Sequence, residues 1–131
     1  MPAFEIWEEP SQEVRFCFSH VSKDFSTGVL LMKSDTELPK HNRPLAEENL
    51  LQIEGRCQVT LLGEKGEVEA TYDLTPGTSL RMKKGQWHVH ANPFPEPSTT
   101  QFKAEGDITE IVQTMRDNYT NVEPDDAPTQ L

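Results

Sequence analysis

The sequence is poor in cysteine, with only Cys17 and Cys57 among its 131 residues. Two cysteines cannot form the disulfide framework of a small secreted domain, and neither belongs to the CxxC spacing of a redox motif or a zinc knuckle. We therefore expect two buried, reduced thiols.

Positive charge is also scarce, since 12 Lys and Arg residues face 22 Asp and Glu residues and the formal net charge is −10. This balance argues against nucleic acid and anionic membrane surfaces as partners, because both require clustered positive potential. No apolar run approaches the roughly 18 residues of a membrane-spanning helix. The N-terminus, MPAFEIWEEP, is acidic and interrupted, unlike a signal peptide. We expect a cytoplasmic protein.

Several common catalytic motifs are missing. The chain has no Ser/His/Asp order, no glycine-rich phosphate loop and no HExxH helix. Nucleophilic-triad and nucleotide-hydrolysing functions therefore have no support in the sequence.

What the chain does contain is a series of short strands, because ten prolines and seven glycines divide it. Alternating or apolar segments predict strands at residues 4–7, 14–21, 28–33, 50–55, 57–63, 67–74, 79–83, 87–92 and 99–104. The segments 50–55 and 57–63 are joined by a tight turn at Gly55 and Arg56, within a β-meander. Strands at about ten-residue intervals predict an all-β, antiparallel barrel or sandwich.

The C-terminal part is less regular. Residues 108–115 fit a strand or a helix, and their β-branched content favours a strand. Residues 121–131 lack apolar periodicity, which predicts a flexible tail. The length predicts a single domain, placed at residues 1–120.

Three of the four histidines lie in two segments that flank the meander, residues 40–55 and 77–92. Strand alternation places His88, His90 and Asn92 on one face, and Glu48 on the same face as Leu50 and Gln52. If these faces point inward, the histidines and a carboxylate meet in a cavity. Imidazole and carboxylate ligands suit a divalent transition metal.

The two segments resemble the motifs of the cupins. The second cupin motif, approximately G-x5-P-x-G-x2-H-x3-N, is matched by Gly77, Gly85, His88 and Asn92, with Lys83 in place of the proline. The first motif, approximately G-x5-H-x-H-x(3,4)-E-x6-G, is matched by His41, Glu48 and Gly55. Its leading glycine is replaced by Asp35 and its second histidine by Arg43. The resemblance covers roughly residues 28–115.

The resemblance implies a jelly-roll barrel (a double-stranded β-helix), commonly a homodimer. It also implies a divalent metal, such as Fe, Ni, Mn or Zn, bound by His41, Glu48 and His88. Arg43 stands where the family has a ligand histidine, and a guanidinium cannot ligate a metal. Three interpretations stay open: His90 supplies the missing imidazole, Arg43 clamps an anionic substrate beside a three-ligand metal, or the metal site has decayed and Arg43 pairs with Glu48 or Glu47.

The candidate metal ligands are therefore His41, Glu48, His88 and His90, and the candidate substrate-binding residues are Arg43, Gln52 and Asn92. One functional hypothesis is a metal-dependent isomerase, lyase or dioxygenase that acts on a small polar or anionic metabolite. The alternative is a noncatalytic protein that binds a small ligand in a barrel with a degenerate metal site. The fold alone does not choose between them.

Overall fold

A computed structural model describes residues 5–122 as eleven strands and one short helix. The elements are β1 (Glu5–Glu8), β2 (Val14–Val21), β3 (Phe25–Met32), β4 (Thr36–Glu37), β5 (Ala46–Glu54), β6 (Cys57–Leu62), β7 (Val68–Leu74), β8 (Ser79–Met82), β9 (Trp87–Asn92), β10 (Ser98–Gly106), α1 (Thr109–Asn118) and β11 (Thr120–Asn121).

The strands form two antiparallel sheets. A seven-stranded sheet has the order β11-β1-β2-β3-β10-β5-β8, and a four-stranded sheet has the order β4-β9-β6-β7. Within residues 5–122 the sheets form a jelly roll that is not closed into one hydrogen-bonded cylinder. The predicted all-β jelly roll is confirmed.

Period-two alternation builds the core, as the sequence predicts. In β2, Val14, Phe16 and Phe18 are buried, whereas Arg15 and Cys17 on the other face are half-buried. The same cluster takes residues from both sheets and the helix, including Leu50, Val59, Phe102 and Val112. The polar site described below lies at one side of this core.

The turn at Gly55 and Arg56 does not join two paired strands. β5 pairs with β8 and β10, whereas β6 pairs with β7 and β9, so the turn carries the chain from one sheet to the other. Gly55 has a φ of +65°, and a Cβ there would lie 2.1 Å from the Pro97 carbonyl oxygen. Glycine is required at this corner because of both its backbone conformation and the close approach.

The expectation of a strand at residues 108–115 is wrong, because this segment forms most of α1. Ile108, Val112 and Met115 are buried at helical spacing, and Ile111 is half-buried. Packing of this face against the barrel outweighs the β propensity of isoleucine and valine. Just before the helix, Asp107 Oδ1 accepts hydrogen bonds from the backbone and hydroxyl of Thr109.

The helix is tied to the first strand. Arg116 donates from Nε and Nη2 to the two carboxylate oxygens of Glu5, at 2.5 and 2.8 Å. β11 follows the helix and pairs with β1, so Asn121 lies in a strand rather than in the predicted tail. Val122 continues this contact with a backbone hydrogen bond to Ile6, and residues 123–131 of the predicted tail lie outside the described residues.

No helix within residues 5–122 combines the length and the apolar character needed to cross a membrane. Both cysteines are free thiols, with Cys57 buried and Cys17 half-buried. Burial raises the pKa of the Cys57 thiol to about 11, which makes it a poor nucleophile.

Candidate metal centre

The polar site is assembled by β9 and the segment that precedes β5. Within β9, alternation buries His88 and His90 on the inward face. His41 joins them through an isolated antiparallel bridge to His88, with backbone hydrogen bonds of 2.9 and 3.0 Å. The two predicted histidine segments therefore meet in the fold.

Three imidazoles form a compact group. One ligand atom from each of His41, His88 and His90 lies within 4.8 Å of the corresponding atoms of the other two. The ring centroids are 4.3 Å apart for His41 and His88, and 4.9 Å apart for His88 and His90. This group can hold a metal ion.

Backbone carbonyls fix the tautomers of two of these rings. His41 Nδ1 lies 2.9 Å from the Pro39 carbonyl oxygen, and His88 Nδ1 lies 2.8 Å from the Gln86 carbonyl oxygen. A neutral ring that donates from Nδ1 carries its free lone pair on Nε2. The same arrangement orients metal-bound histidines in proteins.

Glu48, near the start of β5, is the carboxylate of the site. Its Oε2 lies 3.4 Å from His88 Nε2 and 3.9 Å from His90 Nε2, and its Oε1 lies 3.4 Å from Arg43 Nε. Burial opposes ionisation, but the contacts with His88 and His90 and the charge of Arg43 outweigh it. The pKa of Glu48 therefore lies well below its ordinary value, and the carboxylate is ionised.

Two of the histidines, His41 and His90, are held neutral. Burial, reinforced by the charge of Arg43, lowers the pKa of His41 to about 2. Burial also lowers the pKa of His90, against the opposing contact with Glu48. Neutral imidazole is the form that ligates a metal.

The site concentrates unsatisfied polar atoms. Within residues 5–122, six buried side-chain N or O atoms lack a hydrogen-bond partner, and four of them are in this site: Arg43 Nε, Glu48 Oε2, His88 Nε2 and His90 Nδ1. Buried polar atoms are normally paired, so a cluster of unpaired ones indicates a place for an ion, a water or a ligand. The Arg43–Glu48 contact is thus an ion pair without hydrogen-bond geometry.

Two cavities that share lining residues border the site. The inner one has a volume of about 20 Å³, and His41, Arg43, Glu48 and His90 line it together with apolar core residues. That volume holds one water molecule or a monatomic ion. The outer cavity has a volume of about 440 Å³, and His41 and Arg43 line it too.

Gln52 and Asn92 are placed elsewhere by the structure, and neither lines the two cavities. The Gln52 amide donates to Ser98 Oγ and to the Glu54 carbonyl, and it accepts from the Thr100 hydroxyl. The Asn92 amide donates to the backbone carbonyls of Met32, Lys33 and Glu96. Both side chains hold strand ends together, and their role in substrate binding stays a prediction.

Sequence reasoning missed the outer wall of the larger cavity. Ile111 and Met115 of α1 and the following Tyr119 line it. The helical spacing of Ile108, Ile111, Val112 and Met115 was the available signal.

Comparison with known proteins adds evidence on the fold. No protein-family model matches the chain, and no curated protein matches it. Among solved structures, an oxalate oxidase in complex with glycolate aligns with a TM-score of 0.58 and 16% identity, over 63% of this chain and 42% of that chain. The chain thus spans less than half the length of that oxalate oxidase.

Two further matches are similar in size to this chain. The Cnp3 cupin domain of Schizosaccharomyces pombe aligns with a TM-score of 0.63 and 16% identity, over 76% of this chain and 66% of that chain. A cupin superfamily protein from Desulfitobacterium hafniense aligns with a TM-score of 0.62 and 13% identity, over 72% of this chain and 79% of that chain. This chain has the cupin fold, as its two histidine motifs predict.

Proposed function

We propose that this protein binds a divalent metal through His41, Glu48, His88 and His90 and presents it to a small anionic metabolite in the adjoining cavity. The observation that carries the proposal is the contact between Glu48 Oε2 and His88 Nε2. These atoms are buried, unpartnered and 3.4 Å apart.

Both atoms act as acceptors when His88 donates from Nδ1 to the Gln86 carbonyl. Two buried acceptors that face each other repel unless a proton or a cation lies between them. A bound metal ion can take that place. Two ligands that are each about 2.1 Å from a tetrahedral ion lie about 3.4 Å apart, which agrees with the observed separation.

The donor set also limits the metal. Imidazole nitrogens with one carboxylate suit Fe, Ni, Mn or Zn rather than the all-oxygen sites of Ca or Mg. When bound, such an ion supplies Lewis-acid polarisation of a ligand carbonyl or hydroxyl.

The chain's own residues would orient the metabolite. Arg43 lies beside Glu48 and also lines the outer cavity, where its guanidinium can hold a carboxylate. Apolar side chains on the opposite wall would exclude water from the bound head group. A metal that polarises the metabolite while Arg43 binds its carboxylate suits isomerase, lyase or dioxygenase chemistry. An oxalate oxidase of the same fold is known in complex with glycolate.

A noncatalytic ligand-binding protein is the second candidate, and the Arg43–Glu48 ion pair favours it. Arg43 neutralises the carboxylate that a metal requires and adds a permanent positive charge beside the site. In that case the barrel would bind its anionic ligand without metal.

Metal analysis tests the proposal. The protein is purified without a histidine tag, exposed to Fe, Ni, Mn or Zn, and measured by plasma mass spectrometry. We expect about one metal ion per chain, lost in His88→Ala. The control is His20→Ala, because His20 is the fourth histidine and stacks on Phe25 at 4.2 Å, apart from the site.

A protein that takes up none of the four metals, and whose melting temperature none of them raises, would contradict metal binding. Binding that is unchanged in His88→Ala would contradict the assigned ligands. Anion binding that persists in chelator would support the noncatalytic alternative.

A further inference from the structure

The outer cavity, with a volume of about 440 Å³, is large enough for an organic ligand rather than only for a solvent molecule. It lies between α1 and the segment of residues 38–43 that precedes β5. Its charge and its apolar lining together restrict what it can bind.

Its charge is opposite to that of the protein as a whole. The chain carries a net charge of −10, yet the charged side chains among the residues that line this cavity are Lys40 and Arg43. No carboxylate is among those lining residues. The nearby carboxylate of Glu48 lies in the inner cavity, where Arg43 pairs with it. The outer cavity therefore favours an anionic ligand over a cationic one, including a metal ion.

The rest of the lining is largely apolar and aromatic. Phe16 and Tyr119 stack with ring centroids 6.1 Å apart, and Ile111 and Met115 continue this wall along α1. Trp87 also lines the cavity, and it is 38% exposed. Such surfaces take up a hydrocarbon or aromatic group.

The boundary between the two cavities has a polar side and an apolar side. His41 and Arg43 line both cavities, and so do Phe16, Ile111 and Met115. Lys40 Nζ lies 5.9 Å from the ring centroid of Trp87, which places a second cation beside an aromatic face. A ligand head group at this boundary would leave its body against the aromatic wall.

We infer that the ligand of the outer cavity is a monocarboxylate with an apolar body, held by Arg43 and Lys40 at its head and by Phe16, Trp87 and Tyr119 along its body. This inference rests on the proposed function, because it names the class of ligand that the same site receives. A very small, hydrophilic acid is a poorer fit, because it would leave most of the cavity unfilled.

The test uses Trp87 as the reporter. Trp7→Phe leaves Trp87 as the single tryptophan, and its fluorescence is titrated with phenylacetate, 4-phenylbutyrate and octanoate, with the three matching amides and with glycolate. The titrations are run on metal-loaded and chelator-treated protein. We expect at least one acid to bind about tenfold more tightly than its own amide and than glycolate.

Charge-removing variants locate the head group. Lys40→Gln and Arg43→Gln should each reduce the acid-to-amide preference at least about threefold while the amide affinity stays unchanged. Lys65→Gln is the matched control, because Lys65 is exposed in the turn between β6 and β7. Circular dichroism checks that each variant is folded, and Lys40→Gln keeps the test decisive if Arg43→Gln does not fold.

The inference is overturned if no acid binds more tightly than its amide, if glycolate binds most tightly, or if both charge variants keep the full preference. The metal content of each sample separates this result from the proposed function. Bound metal without acid preference contradicts the ligand class alone, whereas acid preference in protein that never takes up metal contradicts the proposed function alone.

Discussion

Glu48 Oε2 faces His88 Nε2 across 3.4 Å, and neither atom has a hydrogen-bond partner. Arg43 approaches the other oxygen of the same carboxylate at the same distance. Glu48 therefore belongs to two arrangements at once: an ion pair with Arg43 and a ligand position beside the imidazoles. Its substitution separates these two roles.

Glu48→Gln should weaken Zn²⁺ or Mn²⁺ binding by at least about tenfold, because an amide is a poorer ligand and carries no charge. In metal-free protein the same change leaves the half-buried Arg43 without its anion, at a cost of about 3 kcal/mol of unfolding free energy. Calorimetric titration and urea unfolding measure the two effects. Glu47→Gln is the control, since Glu47 pairs with the exposed Arg81. Equal losses in both variants would show that Glu48 contributes no more to metal binding than a surface carboxylate does.

Arg43→His should raise metal affinity. The change removes a permanent positive charge beside the ion and offers a further imidazole at the position where cupins carry a ligand histidine. Competition with a metal chelator at neutral pH measures the change. Arg56→His serves as the comparison, because Arg56 pairs with Glu96 on the surface. A metal affinity that is unchanged or lower would mean that Arg43 supports the site rather than opposes the metal.

Acid should destabilise the metal-free protein through His41. Its pKa is lowered from 6.5 to about 2 by burial and by Arg43, so below pH 6.5 the unfolded chain binds a proton that the folded chain does not. The free energy of unfolding must then fall as the pH falls, by up to about 1.4 kcal/mol per pH unit from this group. Urea unfolding between pH 7 and pH 5 should show this slope, and His41→Asn should reduce it. A slope that is the same in both proteins would assign the pH dependence to other groups.

The Glu5–Arg116 pair should contribute stability that acid removes. Arg116 lowers the pKa of Glu5 below 4.5, so the contribution is present above pH 4.5 and is lost as the pH falls through the lowered value. Glu5→Gln should cost about 1 kcal/mol at pH 7, since the pair is partly exposed, and little at low pH. Thermal unfolding at several pH values measures this. A constant cost across the pH range would exclude the ion pair as its source.

Homodimer formation stays a prediction. Leu51 and Ile53 on β5 are 38% and 44% exposed, although the strand lies within the seven-stranded sheet. Apolar residues exposed side by side on a sheet are commonly covered in an oligomer. Sedimentation velocity should give twice the chain mass of 14.9 kDa, and the double substitution Leu51→Lys, Ile53→Lys should give monomer. A monomeric natural protein would contradict the prediction.

The sequence predicts the parts of this molecule that depend on strand alternation and motif spacing. His88 and His90 share a face because strands have a period of two, and the motif register also identifies His41 and Glu48. Gln52 shares the parity of Glu48, but it lies four residues, or about 13 Å, farther along β5, where Ser98 and Thr100 bind its amide. Parity gives the direction of a side chain and not its position along the strand.

The helix could not be placed by propensity. Isoleucine and valine favour strands in isolation, and the helical spacing of the apolar residues becomes decisive only once Val112 and Met115 are seen to pack against the core. With the helix unplaced, the sequence alone gives neither the outer cavity nor its apolar wall. The motif identifies Arg43 as a departure from the cupin pattern. Only the structure shows that its ion-pair partner is Glu48 and not Glu47, which pairs with Arg81.

The link between Glu5 and Arg116 joins the first strand to the helix that walls the outer cavity. β11 strengthens this link by pairing with β1. The two ends of the described chain are thus held to each other, and the polar residues of the site all lie between them in the sequence. The placement of the helix that walls the outer cavity therefore depends on the first strand, far from every metal-binding side chain in the sequence.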